Sequence, residues 1–421
     1  MRNWLLTLQV VLLFLVNTFA QTDTLQLTLK QAETNFIQSN LQLIATRLGI
    51  SEYKAYELQA GLRVNPNLYI EHMPYNTQAR KIGGLNQSNA EQIVQFQYLI
   101  QVAQKRQKAV SLAQATTQQA ENSFKDFVRT LNFQLRTTFY DLYYTQRSIQ
   151  VYDQEINTLR QTLNAYQVQF EKGNVPLKDI ARLKSYLLNL TSERQDFVVN
   201  QLDNQRDLAF LTGESRQVYI QPVVDQVDIS DGVSTLNYQD LLTASLENRY
   251  DLKILQGQQE IEQRNLSLQQ ANRRPDLTIQ GIYDRNAGYV PHYFGVGVSA
   301  NLPVFNRNQG NIQAAKVRIQ EADAYTRNFE LLLEKEVMNA LNKVNQANEV
   351  AKTVDSKFNA DFENLIRGVV ENYKKQNISV VEFIDFFDSY KQSSIQNIKI
   401  INQRRNARVN LNYVVGKDIL P

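Results

Sequence analysis

The side chains that most often do chemistry in proteins are scarce and scattered in this chain. There is no cysteine, and the only histidines are His72 and His292. Neither histidine has cysteines or regularly spaced carboxylates around it, so the sequence predicts no metal site. The sequence also contains no Ser/His/Asp set, no phosphate-binding loop and no dinucleotide fingerprint. We therefore expect neither enzymatic activity nor a bound cofactor.

The charged residues indicate no nucleic-acid partner. The chain has 45 Lys and Arg against 42 Asp and Glu, a formal net charge of +3, and the two signs are interspersed with Gln. Nucleic-acid-binding proteins concentrate basic residues on one surface, and no such run is present in the sequence. We expect most of these charges to lie on solvated helix faces.

Long helices are the elements that must position any functional residue. Residues 101–172 contain no Gly or Pro, and apolar residues recur there in steps of three and four, which is the spacing of a coiled-coil seam. A turn follows at residues 173–176, and a second seam begins at Ile180. The sequence therefore predicts two antiparallel helices joined by a tight tip, the longer one roughly 100 Å long at 1.5 Å per residue.

The first 20 residues differ from the rest of the chain. Arg2 precedes an apolar run over residues 4–16, and small residues end the segment at Ala20. This is the pattern of a secretory signal peptide cleaved after Ala20. A membrane anchor is the weaker alternative, because the run is shorter than the roughly 20 residues that span a bilayer. We expect an exported protein without a lipid anchor.

The chain contains an internal repeat. When Pro66 is aligned with Pro275, the preceding helices match without a gap, and at the tips Asn174 corresponds to Asn377. The sequence thus predicts a signal peptide (1–20), a first repeat (21–213), an irregular connector (214–235) and a second repeat (236–421). Each repeat has a helix, two strands and a long helical hairpin, and the second hairpin is expected to stutter between Phe358 and Phe362.

Four segments alternate apolar and polar residues with a period of two, and they are residues 68–73, 94–101, 277–283 and 294–302. With the residues that flank them, we expect strands of about ten residues, which is the length of a tilted outer-membrane strand. Four strands cannot close a barrel, and open edges are not tolerated in lipid, whereas three copies would supply twelve strands. The competing prediction is a pair of ordinary hairpins that cap a soluble helical domain.

Together these features resemble the TolC family of outer-membrane efflux channels over essentially the whole mature chain. The resemblance rests on the duplicated architecture, on the tips (170–180 and 373–383) and on the stretch LPVFNRNQGN at 302–311. That stretch and the run QVAQKR at 101–106 are similar to the branch associated with divalent-metal efflux. The branch usually has Gly-Gly before Lys-Arg, where this chain has Ala103 and Gln104, and the N-terminal cysteine that some relatives acylate is absent.

The resemblance implies a mainly α fold with transmembrane β-strands. It implies a homotrimer with a 12-stranded outer-membrane barrel, in contact with outer-membrane lipid, and a large periplasmic α-helical tunnel. The partners would be a periplasmic adaptor (membrane fusion) protein and an inner-membrane pump of the resistance-nodulation-division type. The chain would be a passive conduit for substrates, divalent metal cations among them. The alternative function is a soluble periplasmic coiled-coil adaptor or scaffold, which would carry a β-rich domain between its helical arms.

The resemblance also assigns roles to the tips and to the strand ends. The expected adaptor contacts, which are also good turn and capping residues, are Gly173, Asn174, Val175, Pro176, Leu177, Asn377, Ile378 and Ser379. Acidic residues beyond the tips would form a ring around the lumen, or would be favoured there by the helix macrodipole; they are Asp179, Glu382, Asp385 and Asp388. At the strand–helix junctions, Lys105, Arg106 and Arg307 would either anchor to phosphate or solvate the turns.

Overall fold

A computed structural model of the chain describes residues 23–76, 80–83, 90–216, 218–224, 236–287, 290–353 and 358–420, without the side chains of 76, 81, 287 and 358–364. The predicted signal peptide and most of the predicted connector lie outside these residues. In chain order the elements are β1 Thr24–Thr28, α1 Leu29–Ser39, α2 Leu41–Gly61, β2 Asn67–Met73, β3 Tyr75–Asn76, β4 Lys81–Ile82, β5 Glu91–Ile100, α3 Lys105–Glu171, α4 Leu177–Thr212, β6 Tyr219–Val223, α5 Tyr238–Asn248, α6 Tyr250–Asn272, β7 Leu277–Ala287, β8 Val290–Ala300, α7 Gln309–Lys352, α8 Phe358–Lys374 and α9 Val380–Val415.

The chain divides into two compact units, each built from both repeats. One unit comprises Met1–Ile44, Phe127–Asn248 and Leu333–Pro421, and the other comprises Ala45–Asp126 and Arg249–Leu332. The first unit contains the hairpin tips, and the second contains the four-stranded sheet.

The first predicted hairpin is formed by α3 and α4, and its seam is buried. Leu135, Leu142 and Leu159 on α3 and Leu183 and Leu190 on α4 are each 0% exposed. All five leucines belong to the predicted seams, whose positions recur every three or four residues. Burial therefore follows the predicted coiled-coil spacing.

The second hairpin differs from its prediction. The sequence predicts one helix from residue 311 to about 373, but α7 ends at Lys352 and α8 begins at Phe358. At the end of α7, the Thr353 hydroxyl donates to the Val350 carbonyl at 2.7 Å, and the Thr353 amide donates to the same oxygen at 3.1 Å. The predicted stutter concerns the side chains of Phe358 and Phe362, which lie outside the described side chains.

Each repeat also opens with a broken helix rather than the single helix that the sequence predicts. The break lies at Asn40 in the first repeat and at Arg249 in the second, and both residues have extended backbone angles. The Asn40 amide group donates to the Leu211 carbonyl at 3.0 Å and its oxygen accepts from the Leu43 amide at 3.0 Å. Side-chain hydrogen bonds therefore replace the backbone bonds that the break removes.

The predicted irregular connector contains a strand. Its β6 pairs in parallel with β1, with Leu25 opposite Ile220. The Ile220 side chain is 0% exposed, its amide donates to Gln205 Oε1 at 2.9 Å and its carbonyl accepts from Gln205 Nε2 at 2.6 Å. A glutamine side chain on α4 thus completes the pairing of this short edge strand.

The four predicted strands form one antiparallel sheet in the order β2-β5-β7-β8. Its register brings the apolar positions of all four strands to one face: Phe96 lies opposite Leu68 and Gly281, and Gly281 lies opposite Val296. The opposite face holds most of the Gln, Asn, Thr, Ser and Gly residues of the sheet, and there Gln95 Nε2 donates to Gln280 Oε1 at 3.2 Å. A few apolar and aromatic side chains also lie on this face, among them Ile93, Leu99 and Ile282. The apolar face contains Leu68, Ile70, Val94, Phe96, Tyr98, Ile100, Leu277, Ile279, Tyr283, Phe294, Val296 and Val298.

The apolar face is exposed rather than packed against a core. Val296 is 80% exposed, Phe294 is 72% exposed and Val298 is 70% exposed. Strands β7 and β8 are 11 residues long and β5 is 10, close to the predicted length, whereas β2 has 7. Among the described helices, none has a stretch of the length and hydropathy that crossing a membrane requires.

Candidate functional site

The two hairpin tips have the same backbone hydrogen bonds. At the first tip the Gly173 amide donates to Phe170 O at 2.8 Å and the Asn174 amide donates to Gln169 O at 2.9 Å. At the second tip the corresponding amides of Gln376 and Asn377 donate to Tyr373 O and Asn372 O, both at 2.9 Å. This pair of bonds is a Schellman motif, which ends a helix at a residue in the left-handed conformation.

The return helices start differently at the two tips. Pro176 precedes α4 without a side-chain capping bond. Ser379 forms a capping box with Glu382: its hydroxyl accepts from the Glu382 amide at 3.3 Å, and its own amide donates to Glu382 Oε2 at 2.8 Å. The backbone hydrogen bond from Ser379 lowers the pKa of the Glu382 carboxyl. Glu382 therefore has a capping role in this structure, in addition to the predicted place in an acidic ring.

Most of the predicted adaptor-contact residues are exposed, but two are not. Val175 is 7% exposed and belongs to the hydrophobic core of the tips, and Ile378 packs against the same core. Leu177 is 64% exposed and is the largest apolar side chain that the first tip leaves uncovered. The remaining predicted contacts are exposed, and they are Gly173, Asn174, Pro176, Asn377 and Ser379.

An aromatic column joins the two hairpins just above their tips. Tyr166 stacks on Tyr373 with ring centroids 4.3 Å apart, Tyr373 stacks on Phe383 at 4.3 Å, and Phe383 contacts Phe387 at 4.5 Å. The Tyr166 hydroxyl also donates to the Tyr373 carbonyl at 2.8 Å. Burial raises the pKa of the Tyr373 hydroxyl, so the column is uncharged at neutral pH.

The four acidic residues of the predicted ring have different surroundings. Asp179 is half-buried in the first turn of α4, and Asp385 is exposed. Asp388 accepts from the buried Lys391 ammonium at 2.8 Å. Among the described residues, no group of three or more His, Cys, Asp or Glu side chains is arranged to hold a metal ion.

A buried charged cluster beside the tips was not predicted from the sequence. Lys391 Nζ, on α9, donates to Glu193 Oε2 on α4 at 2.8 Å, and the Tyr152 hydroxyl donates to the same oxygen at 3.0 Å. Burial alone would lower the pKa of Lys391, but its hydrogen bonds to Asp388 and Glu193 outweigh burial and raise the pKa. The Lys391 side chain is therefore a buried cation shared between two helices.

Glu155 lies within this cluster with both carboxyl oxygens buried and without a hydrogen-bond partner. Burial raises the pKa of Glu155 to about 8, and the nearby carboxylates of Asp388 and Glu193 add to this, although the Lys391 ammonium opposes it. The signal that could have revealed Glu155 is a period of seven: Ser148, Glu155 and Thr162 are all buried polar residues on α3. The two hydroxyls donate to carbonyls one turn back, whereas the Glu155 carboxyl forms no such bond.

The strand–helix junctions hold the remaining predicted residues. Lys105 Nζ donates to Asp276 Oδ1 at 2.8 Å and to Arg274 O at 2.7 Å, so its structural role is to tie α3 to β7. Ala103 and Gln104 both have positive φ angles, 55° and 58°. Glycine adopts this conformation at no steric cost, which explains the Gly-Gly that the metal-efflux branch usually has at this position.

The two histidines do not form a shared site. His292 Nδ1 lies 2.8 Å from the Tyr283 hydroxyl on the neighbouring strand. His72 Nδ1 is buried without a hydrogen-bond partner among the described residues, and in the register His72 pairs with Gln92 rather than with a ligand-type residue.

No protein-family model matches the sequence. The cobalt-zinc-cadmium resistance protein CzcC of Cupriavidus metallidurans is 20% identical over 392 residues, which cover 93% of this chain and 90% of CzcC. Among solved structures, CusC, described as undergoing folding and transmembrane channel formation, superposes with a TM-score of 0.72 at 14% identity, over 95% of both chains. The CmeC outer membrane channel of Campylobacter jejuni superposes with a TM-score of 0.74 at 13% identity, over 93% of this chain and 86% of CmeC.

The chain has the TolC-type outer-membrane channel fold. The open state of the Neisseria gonorrhoeae MtrE outer membrane channel shares this fold, with a TM-score of 0.68 at 14% identity over 93% of this chain and 89% of MtrE. The predicted fold class and the resemblance to the TolC family are thereby confirmed. In this channel fold the two tips, the aromatic column and the Glu155 cluster all belong to the helical part, and the exposed apolar face belongs to the sheet.

Proposed function

We propose that the protein is an outer-membrane efflux channel, a passive conduit for substrates that an inner-membrane pump delivers. The observation that carries the proposal is the register of the four-stranded sheet, which collects most of its apolar side chains on one exposed face and most of its polar side chains on the other. An exposed apolar face of this kind is stable in lipid, and the polar face is suited to line water.

Three copies would close the sheet. Among the described strands, β2 and β8 each have a neighbour on one side only, and open strand edges are not tolerated in lipid. In a homotrimer, β2 of one copy would pair with β8 of the next to give 12 strands. In such a trimer the tips of the three copies would contact a periplasmic adaptor protein, with exposed Leu177 as the central apolar contact.

Divalent metal cations are the substrates that we propose. The full-length similarity to a cobalt-zinc-cadmium resistance protein supports this class. The described residues hold no tight metal site, which is consistent with a conduit, because a channel must release what it passes. The soluble adaptor is disfavoured, since it would leave Val296, Phe294 and Val298 in water.

Two experiments test the channel and its substrate separately. For the channel, the full chain is expressed in a Gram-negative host, and we expect a detergent-extracted trimer that gives ion conductance in planar bilayers. A monomer in the soluble periplasmic fraction would refute the proposal. For the substrate, deletion of the gene from its own host should lower resistance to cobalt, zinc and cadmium, and unchanged resistance to all three metals would exclude metal efflux while leaving the channel intact.

A further inference from the structure

Five arginines collect where the four-stranded sheet meets the helices. Strands β2 and β7 begin, and β5 and β8 end, at the same end of the sheet, because Ile100 pairs with Leu277 and Leu277 pairs with Ala300. Short connections join these strand ends to α2, α3, α6 and α7. The arginines lie in these connections or in the adjoining helix turn, and we call them the arginine belt: Arg63, Arg106, Arg273, Arg274 and Arg307.

In the part of the chain that the structure describes, no carboxylate compensates the charge of the belt. Among the described residues, no belt arginine forms an ion pair, whereas arginines elsewhere, such as Arg194 and Arg264, pair with carboxylates. The nearby Asp276 is already occupied, because its Oδ1 accepts from Lys105 Nζ at 2.8 Å and from the Val102 amide at 3.0 Å. A cluster of guanidinium groups without carboxylates attracts an external anion.

Two clefts at this level combine guanidinium groups with apolar walls. Arg63 and Arg106 line a cleft of about 450 Å³ together with Tyr98 and Ile100 at the end of β5. A second cleft, of about 500 Å³, is lined by Arg273 and Arg274 with Asn306 and Leu302 among its other walls. Each cleft therefore offers donors for an anion and an apolar surface beside them.

An exposed apolar loop follows β8 at the same level. Phe305 is 92% exposed, and Leu302 and Val304 are 73% and 57% exposed. Arg307 Nε donates to the Val304 carbonyl at 3.2 Å, so the guanidinium is held against this loop. An aromatic ring beside arginine is typical of a protein surface at the boundary between lipid head groups and acyl chains.

The parts of the four strands nearest the belt carry no charged residue. Residues 67–70, 94–100, 277–283 and 293–300 contain no Asp, Glu, Lys, Arg or His. At about 3.3 Å per residue, seven residues of strand extend roughly 23 Å along the strand, and strand tilt makes the height that they span somewhat less than the apolar band of about 25 Å of an outer-membrane protein. The belt thus marks one end of the uncharged band.

We propose that the arginine belt binds the phosphate groups of anionic glycerophospholipids, with Phe305 at the boundary between head groups and acyl chains. The inference rests on the proposed function, because it requires the sheet to lie in a membrane. Guanidinium groups form paired hydrogen bonds with phosphate oxygens. A second copy of this chain is a poorer occupant, because copies around one axis bring like-charged belts closer together.

The first test measures lipid preference with the purified full-length protein in neutral detergent. The probes are short-chain phosphatidylglycerol and phosphatidylcholine, and native mass spectrometry reports the binding of each. We expect the wild type to bind phosphatidylglycerol at least about tenfold more tightly, and Arg273→Gln/Arg274→Gln/Arg307→Gln to reduce the preference below about twofold, since each basic residue contributes about fivefold. The matched control is Arg160→Gln/Arg182→Gln/Arg318→Gln, which removes the same charge from exposed helix positions and should keep the preference.

The second test locates Phe305. The only tryptophan of the chain is Trp4, within the predicted signal peptide, so Phe305→Trp gives a mature protein with a single tryptophan, which can be excited selectively above the tyrosine absorption. In vesicles containing phosphatidylglycerol brominated near the head group, we expect a blue-shifted emission and strong quenching. Emission typical of tryptophan in water, without quenching, would overturn the proposal.

The remaining outcomes separate this inference from the channel itself. If the triple variant keeps its lipid preference, or if inorganic phosphate binds the belt as tightly as phosphatidylglycerol does, the belt is not a lipid site. If the triple variant loses the trimer instead, the belt is a contact between copies. In each of these cases a conducting wild-type trimer would still support the channel, whereas a soluble monomer would overturn both proposals.

Discussion

Two equivalent residues at the hairpin tips differ in how well they suit their backbone conformation. Gly173 has a φ angle of 78°, and its counterpart Gln376 has a φ angle of 62°. In this left-handed region of φ and ψ, a Cβ atom raises the conformational energy by roughly 1 kcal/mol, and glycine has no such cost. The second tip is therefore strained where the first is not.

We predict that Gln376→Gly stabilises the protein by about 1 kcal/mol, because glycine removes the Cβ contact with the following carbonyl. Gly173→Ala should destabilise it by a similar amount, although a Cβ at Gly173 would meet nothing within 4 Å, so the loss would come from the backbone alone. Thermal unfolding followed by circular dichroism measures both changes. The control is Gln376→Ala, which keeps the Cβ atom, and equal gains for Ala and Gly would contradict the strain argument.

The buried Glu155 carboxyl predicts a pH-dependent stability. Its pKa is raised to about 8 from the ordinary 4.5, so the folded state holds a proton that the unfolded state releases. The contribution of this group to stability is complete below about pH 4.5 and is lost as the pH rises towards 8. Lys391, Asp388 and Glu193 face the same cluster.

We therefore expect Glu155→Gln to flatten the decline of the melting temperature between pH 6 and pH 9. The amide has the shape of the protonated carboxyl but cannot lose a proton, so the variant should be more stable than the wild type at pH 9. The matched control is Glu171→Gln, an exposed residue at the end of α3. A variant with the same slope as the wild type would show that another group is responsible.

At the level of elements, the break at Asn40 is held by a single side chain. Asn40 is 2% exposed and bonds to both the Leu211 carbonyl and the Leu43 amide. Nearby, a Cβ at Gly213 would lie 2.6 Å from the Ser39 carbonyl oxygen, so the chain has no room to rearrange there.

Asn40→Ala should destabilise the protein by about 2–3 kcal/mol, because it leaves a buried carbonyl and a helix N-terminal amide without partners. Denaturant unfolding of the detergent-solubilised protein provides the measurement. Asn200→Ala, at an exposed position of α4, should change the stability by less than about 0.5 kcal/mol. A similarly small effect at Asn40 would mean that solvent replaces both hydrogen bonds.

The elements that the sequence predicts correctly are those defined by periodic burial. The α3–α4 seam repeats every three or four residues and the sheet strands every two, so local pattern and tertiary packing agree. The breaks at Asn40 and Arg249 have no Gly or Pro signal and depend on distant partners, such as the Leu211 carbonyl. The pairing of β1 with β6 depends likewise on Gln205.

The candidate site was only partly predictable for the same reason. Turn residues at both tips follow from composition, but the buried position of Val175 and the Glu155 cluster arise from packing between helices that are far apart in sequence. The belt arginines are scattered over four short segments of the sequence, and only the pairing of the strands brings them to one end of the sheet.

For the whole molecule, the proposed trimer predicts a defined pattern of cross-links. The chain has no cysteine, so a cysteine on β2 (Asn67 or Tyr69) combined with one on β8 (Gly297 or Ser299) can be joined only as designed. We expect at least one of the four pairs to give covalent dimers and trimers, and no larger species, on a denaturing gel. Bands beyond the trimer, or none at all, would refute a closed ring of three.

The control for this experiment lies within one chain. Gln97 and Gln280 are opposite each other on β5 and β7, so a cysteine pair at these positions should form an intramolecular disulfide and leave the protein monomeric on the gel. Failure of this control would indicate that the sheet itself is not formed in the sample.

The pairing of β5 with β7 also has a consequence for how the protein is made. These strands lie in different repeats, and Ile93 pairs with Asp284, so about two thirds of the 421 residues must emerge before the central pairing of the sheet can begin. During secretion, the β2–β5 hairpin is therefore present before β7, with one edge of β5 unpaired and its apolar side chains exposed. Such a state favours aggregation. Closing so long a loop is slow, and we expect biogenesis to depend on periplasmic chaperones that shield the first hairpin until the second arrives.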